Sequence, residues 1–305
     1  MIDVIIPVYR PDVSFRTVLQ RLNQQSIRPE RIILINTEKR FWKPELAFGI
    51  EQVEVYHISK EEFDHAATRK MAAELSKAEY MMFLTQDAIP ANHRLMEQLL
   101  KVFKKKEVAA AFARQIPQKK CNPIEDYTRR FNYPNTSFLR EKKDIERLGI
   151  RAYFFSDVCA VYRKADYLQL GGFVERAIFN EDMLFAAKAL AYGKKIAYVA
   201  EAKVYHSHNY GNIEYLKRNF DLGVSQAEHP EVFSQVSSEK EGIALVKETA
   251  RYLWKTGKGY YIPKLISNSG FKWLGYRLGK HYQKLSKQMI RRLTLNPAYW
   301  KNWNQ

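Results

Sequence analysis

At 305 residues, 46% of them hydrophobic and 27% charged, the chain has the make-up of a globular protein able to bury a large core without covalent staples. Its two cysteines, Cys121 and Cys159, stand at no metal-like spacing, which excludes a disulfide framework and a thiolate zinc site and suits a reducing cytoplasm. A formal charge of +17 asks for an anionic partner: nucleic acid, anionic lipid or a phosphorylated substrate.

The N-terminus enters Asp3-Val-Ile-Ile-Pro7 without the basic and apolar regions of a secretion signal, and no apolar run reaches the length of a membrane span. Val4, Ile5 and Ile6 predict a buried first strand that ends in a loop at Pro7-Val8-Tyr9. Phe15, Val18, Leu19 and Leu22 share one helical face, which predicts a helix over 15–25 with Ser14 as its N-cap. A second buried strand is expected over 31–35, with Asn36-Thr37 at its carboxyl end, and the alternation over 53–58 reads as a third. Phe63-Asp64-His65 leads into a helix through Met71, Ala72 and Leu75.

That helix delivers the chain to the run from Tyr80 to Leu84, which is apolar on both faces and reads as a central strand. It stops at Thr85-Gln86-Asp87, and Pro90 bars its continuation. Asp87 thus lies at the carboxyl end of a central strand, the edge where open α/β sheets bind ligands. From this stretch alone, capping a helix that opens near Ala91 is the simpler role. Leu95, Leu99, Leu100 and Phe103 mark a further helix, and 108–113 a further strand. Strands alternating with helices imply crossover units and a largely parallel sheet. The glycine-rich loops of dinucleotide and P-loop sites are missing.

The middle, 114–151, is polar and holds Pro117, Pro123 and Pro134, so it reads as an irregular excursion over the sheet. A strand over 158–162 follows Ser156-Asp157, and Gly171-Gly172-Phe173 makes a turn. Asn180-Glu181-Asp182 opens a helix with the buried stripe Leu184, Phe185, Ala189 and Leu190. Two short strands, over 196–199 and 202–205, lead to His206-Ser207-His208. Past a soft boundary at Glu228-His229-Pro230, helices are expected, broken near Gly257, Gly259 and Pro263. After Glu248 there is no Asp or Glu, yet twelve Lys or Arg follow, set among Trp254, Tyr260, Tyr261, Trp273, Tyr276 and Tyr282. Such a tail suits an interfacial helix on an anionic membrane, or a solvated helical cap.

Several of these pieces, in this order, resemble the inverting family 2 glycosyltransferases of GT-A type, and within them the bacterial rhamnosyltransferases of cell-surface polysaccharide synthesis. They are Ile6-Pro7-Val8-Tyr9, Phe63-Asp64-His65 through Thr68-Arg69, Phe83-Leu-Thr-Gln-Asp-Ala88, Phe155-Ser156-Asp157, Gly171-Gly172-Phe173, Glu181-Asp182, and Tyr198-Val-Ala-Glu-Ala with Val204-Tyr-His-Ser-His208. The resemblance implies an α/β fold with a mostly parallel central sheet flanked by helices, a catalytic domain over 1–228, and a basic, aromatic-rich helical region over 229–305. It implies transfer of L-rhamnose from dTDP-β-L-rhamnose to a hydroxyl of a lipid-linked polysaccharide precursor, in the cytoplasm or on the inner face of the cell membrane. Another donor, such as UDP-glucose or UDP-galactose, fits the same framework, and the protein is able to act as an oligomer.

For the site, the resemblance implies Asp182 as general base, with Glu181 beside it disfavouring full ionisation of both. Favouring the helix dipole is the plainer role for that pair. Asp87, with His206 or His208, is the candidate ligand set for Mg²⁺ or Mn²⁺. Pro7, Tyr9, Asn36, Asp64, His65, Arg69, Gln86, Asp87 and Asp157 are the candidate donor contacts. Two departures stand out: the family's Asp-x-Asp is Thr85-Gln86-Asp87 here, and Asn36-Thr37 replace the acids that usually end the second strand. A nucleic-acid-binding protein is the reading from a different class. It is disfavoured, because the basic residues form no binding motif while buried strands deliver polar groups to one sheet edge.

Overall fold

Buried β-branched and aliphatic runs make the first half of the sheet. β1 (Ile2–Tyr9) is followed by α1 (Val13–Asn23), β2 (Arg31–Thr37), β3 (Val53–Ile58), α2 (His65–Leu75) and β4 (Tyr80–Leu84). β1 pairs in parallel with both β2 and β4, and β2 with β3. These pairings place the ends of β1, β2 and β4 along one edge. The computed structural model describes residues 1–234 and 238–301, so 235–237 and 302–305 of the expected C-terminal region lie outside the described residues.

The chain continues through β5 (Ile89–Pro90), α3 (Leu95–Lys101), β6 (Val108–Ile116), α4 (Pro123–Asn132), β7 (Phe138–Arg140), α5 (Asp144–Leu148), β8 (Cys159–Arg163), α6 (Lys164–Gln169), α7 (Glu181–Ala191) and β9 (Lys195–Tyr205). The sheet order is β3-β2-β1-β4-β8-β6-β9-β5, with β7 on β9. β8 runs antiparallel to β4 and β6, and β6 parallel to β9, so a parallel half joins a mixed half.

Four local expectations change. Asp12, not Ser14, caps α1: its Oδ1 accepts the Ser14 N–H at 2.8 Å, which moves the helix start to Val13. Pro90 does more than stop a strand, since β5 pairs antiparallel with β9 at the sheet edge, where a proline is tolerated. The two short strands expected before His206 are one strand, β9, whose register against β6 shifts between Ala113 and Arg114. The middle segment is not irregular throughout, because it holds α4, β7 and α5.

By packing, the chain falls into two units. The first is Met1–Ile116, Tyr133–Arg176 and Glu181–His206; the second is Pro117–Asn132, Ala177–Asn180 and the described part of Ser207–Gln305. The first unit's core includes Val4, Ile6, Leu34, Met82, Leu84 and Val161, each fully buried. Each such side chain contributes roughly 1.5–3 kcal/mol of burial. The second unit holds α4, α8 (Asn212–Glu228), α9 (Pro230–Phe233), α10 (Ser238–Lys255), α11 (Ile262–Lys280) and α12 (Lys287–Leu293). α10 ends before Gly257 and α11 begins with Pro263 in its first turn, as the glycines and proline predict. The proposed division at residue 228 follows resemblance and composition, whereas packing joins α8 to the helices after it.

Candidate active site

The ends of β4, β6 and β9 carry the first cluster. Beyond Leu84 the Ala88 N–H closes a turn on the Thr85 carbonyl, which leaves the Asp87 carboxylate partly exposed. His206 follows β9 directly and is buried. Its Nε2 lies 3.4 Å from Asp87 Oδ2, and its Nδ1 lies 2.8 Å from Gln115 Oε1 at the end of β6. A carboxamide oxygen only accepts, so Nδ1 donates to Gln115, and Nε2 is the ring nitrogen that faces Asp87. Gln115 is oriented in turn by the hydroxyls of Tyr133 and Ser156. Carboxylate oxygen facing imidazole nitrogen, with the far ring nitrogen anchored, is a donor arrangement that fits a divalent cation.

The donor candidates sit in three settings. Gln86 ties β1 to the loop after β4: its Oε1 accepts the Tyr9 N–H at 2.8 Å and its Nε2 donates to the Tyr9 carbonyl at 3.1 Å. The exposed Tyr9 ring meets Phe41 edge-on at 5.7 Å, and the Arg10 guanidinium lies over both rings. Pro7 is half-buried in β1 beside Ile35 of β2. Asn36 is fully buried at the end of β2, its Nδ2 near the Glu38 carbonyl and His57 Nδ1. Its Oδ1 has no hydrogen-bond partner among the described residues. Asp64 caps α2, accepting the N–H groups of Ala66 and Ala67 at 2.9 Å each, and His65 packs against Phe63.

The remaining candidates meet in a buried charged group. Asp182 stands in the first turn of α7. Its Oδ1 accepts the Met183 N–H at 2.7 Å and its Oδ2 the Asp157 N–H at 3.1 Å. Arg69 does not lie on the surface: its side chain is 7% exposed, with Nη1 2.9 Å from Glu181 Oε1 and Nε 3.6 Å from Asp157 Oδ2. The Tyr162 hydroxyl donates to Asp157 Oδ1 at 2.6 Å. Burial, then repulsion from Glu181, pushes the Asp182 carboxyl up to about 7. Burial and Asp182 likewise hold Asp157 well above the usual carboxylate range. Burial disfavours the Arg69 charge, but Glu181, Asp157 and Asp182 outweigh it and raise its proton affinity.

The structure therefore brings Asp87 together with His206, Tyr9 with Gln86, and Arg69 and Asp157 with Glu181 and Asp182. Sequence reasoning missed Gln115, Arg10, Phe41 and Tyr162. Gln115 had a signal, being a polar residue where the apolar run of β6 gives out, as Asp87 is beyond that of β4. Tyr162 had none, because inside an apolar strand it reads as core.

A family model described as Glycosyl transferase family 2 matches residues 3–171. The O-antigen chain rhamnosyltransferase RfbN of Salmonella typhimurium is 37% identical over 303 residues, which is 99% of this chain and 96% of that protein. The O-antigen chain rhamnosyltransferase WbaN of Salmonella anatum is 35% identical over 302 residues, 98% of this chain and 95% of that one. Among solved structures, the mannosyltransferase PcManGT from Pyrobaculum calidifontis, in complex with GDP-Man and Mn²⁺, superposes with a TM-score of 0.62 at 12% identity, covering 93% of this chain and 88% of that one. S. aureus TarS 1-349 in complex with UDP-GlcNAc gives a TM-score of 0.52 at 14% identity, covering 93% and 91%. At these identities the structural likeness speaks for the fold, which is GT-A.

Proposed function

The chain belongs to glycosyl transferase family 2 and is a glycosyltransferase, and on that premise we propose that it moves L-rhamnose from dTDP-β-L-rhamnose onto a hydroxyl of a lipid-linked polysaccharide precursor. The observation that carries the rhamnosyl reading is similarity along nearly the whole chain to two O-antigen chain rhamnosyltransferases.

Asp182 acts as the general base. The acceptor hydroxyl gives its proton to the Asp182 carboxylate while its oxygen attacks the anomeric carbon. The bond from that carbon to the diphosphate oxygen breaks on the opposite face, and dTDP leaves with the electron pair, so the anomeric configuration inverts. No carboxylic acid is needed for the leaving group, because a diphosphate departs unprotonated once its charge is screened. A base whose proton affinity lies near 7 is matched to neutral pH. Pro7, Tyr9, Asn36, Asp64, His65, Gln86 and Asp87 flank the donor. The Tyr9–Phe41 ledge offers a ring face to the nucleobase.

Asp87 and His206 would hold a divalent ion, with His208 two positions along offering a second imidazole. When bound, Mg²⁺ or Mn²⁺ neutralises charge on the diphosphate. With one carboxylate in place of two, imidazole weighs more in the donor set, which favours Mn²⁺ over Mg²⁺.

The acceptor's lipid is met by the second unit. No helix among the described residues is long and apolar enough to cross a membrane. Trp254, near the end of α10, and Tyr260, in the turn that follows, are each 75% exposed, and Trp273 of α11 is 59% exposed, with Ile266 and Leu274 of the same helix also exposed. Lys255, Lys258, Lys264 and Arg277 are interspersed. Aromatic rings beside cations suit a reversible seat on anionic lipid. A donor screen for nucleotide release with dTDP-β-L-rhamnose, UDP-glucose and UDP-galactose, with and without Mn²⁺, tests the donor. Turnover of a UDP-sugar and none of the rhamnose donor would overturn it.

A further inference from the structure

Three carboxylates and one guanidinium share the site around Asp182, and they are not equivalent. Asp157 and Glu181 are buried, whereas Asp182 is only half-buried. The buried pair therefore cannot reach an acceptor hydroxyl as Asp182 can. Asp157 is anchored at Oδ1 by the Tyr162 hydroxyl at 2.6 Å, and the Arg69 Nε faces its Oδ2 at 3.6 Å, an ion-pair rather than a hydrogen-bond distance. Its main-chain N–H is then fixed where it meets Asp182 Oδ2. Arg69 spans the gap, contacting Asp157 through Nε and Glu181 through Nη1.

We propose that Arg69, Asp157 and Tyr162 are positioning residues for Asp182, holding its carboxylate in place and setting the charge balance in which it takes a proton. This inference rests on the reading of Asp182 as base. It assigns Arg69 and Asp157 a role other than direct donor contact. The charged and titratable groups that bear on Asp182 are Glu181 on its own helix, Arg69 from α2, Asp157 from the loop ahead of β8, and Tyr162 from β8. With every carboxylate ionised the group would carry two excess negative charges in a water-poor site, so at least one proton is retained. Removing the Asp157 charge lets Asp182 ionise more readily. Weakening the Arg69 contact has the opposite effect.

The test is the pH profile of kcat/KM, with donor KM measured separately, for Asp157→Asn, Arg69→Lys and Tyr162→Phe. Asp157→Asn should move the acid limb down by about one pH unit, the tenfold change expected of one nearby charge. Arg69→Lys, which keeps the charge but loses the two-point contact, should move the limb up. Tyr162→Phe should lower kcat about tenfold with donor KM within twofold of the parent. A tenfold rise in donor KM with an unmoved acid limb would overturn the proposal and return Arg69 and Asp157 to the donor. Parent-like kinetics in all three would overturn it as well. Should Arg69→Lys fail to fold, the profile of Tyr162→Phe, which deletes one oxygen, decides. Asp182→Asn separates the two layers. If it retains turnover, the base reading itself fails. If it is inactive while the three limbs stay put, only the positioning proposal falls.

Discussion

Replacing Gly275 by Ala tests how the second unit is built. A Cβ at Gly275 would lie 2.1 Å from the Leu216 carbonyl oxygen and 2.9 Å from its carbon, and one at Gly279 would lie 2.1 Å from the Phe220 carbonyl oxygen. Ordinary contact begins near 3.4 Å, so the shortfall at Gly275 is about 1.3 Å. The obstacle is helix backbone, which no rotamer change relieves, so α8 and α11 must separate. Overpacking of this kind costs about 1–3 kcal/mol. Alanine's better helix propensity returns up to about 1 kcal/mol. The net expectation is a loss of about 1–2 kcal/mol, seen as a fall of several degrees in the thermal midpoint. Gly270, on the exposed face of the same helix, is the control: a Cβ there meets nothing within 4 Å. Gly270→Ala should stabilise by about 0.5–1 kcal/mol through propensity alone. Equal midpoint shifts for the two variants, in circular dichroism melts, would refute the close-packed interface.

Asp182→Asn should reduce turnover at least a thousandfold while leaving donor affinity, measured by calorimetry, within a few-fold of the parent. In the parent, the base works only when ionised, so kcat/KM should rise about tenfold per pH unit below about 7 and level above it. Asp87→Ala should weaken donor binding and abolish the response to added Mn²⁺, and EDTA should lower parent activity; full activity in chelator would refute a metal at Asp87 and His206. Asp221 accepts hydrogen bonds from Thr294, the Leu295 N–H and Asn296, yet burial raises its carboxyl from 3.8 to about 7. Between those values the folded chain keeps a proton that the unfolded chain releases, so stability should fall as pH rises from about 4 to about 7, by up to about 1.4 kcal/mol per unit, and flatten above. Asp221→Asn should make the loss of stability between melts at pH 5 and pH 8 smaller than in the parent, the raised Asp182 and Asp157 supplying the remainder.

Much of this site was legible because apolar strands announce where they end. The run Tyr80–Leu84 delivers Asp87 to the sheet edge, and β9 delivers His206 to it. Both follow from periodicity and the shift to polar residues. Helix boundaries just before Gly257 and at Pro263 were equally plain, since backbone chemistry dictates them locally. What sequence could not show is set by contacts between distant residues. Arg69 and Glu181 are brought together by tertiary packing alone, and no local pattern marks Arg69 as buried. Gln115 orients His206 from another strand, and Asp12 takes the capping role of Ser14 through one short hydrogen bond. The joining of β9 into one strand depends on a register shift against β6, which a tolerance for irregular pairing hides from alternation.

The central claim is inverting rhamnosyl transfer with Asp182 as the base. It is tested most directly by incubating the protein and its Asp182→Asn variant with dTDP-β-L-rhamnose and a polysaccharide-precursor acceptor, and following the anomeric proton and dTDP release by NMR. The account predicts one α-linked rhamnosyl product per dTDP released by the parent, and none from the variant. A β-linked product, or equal turnover by Asp182→Asn, would contradict it.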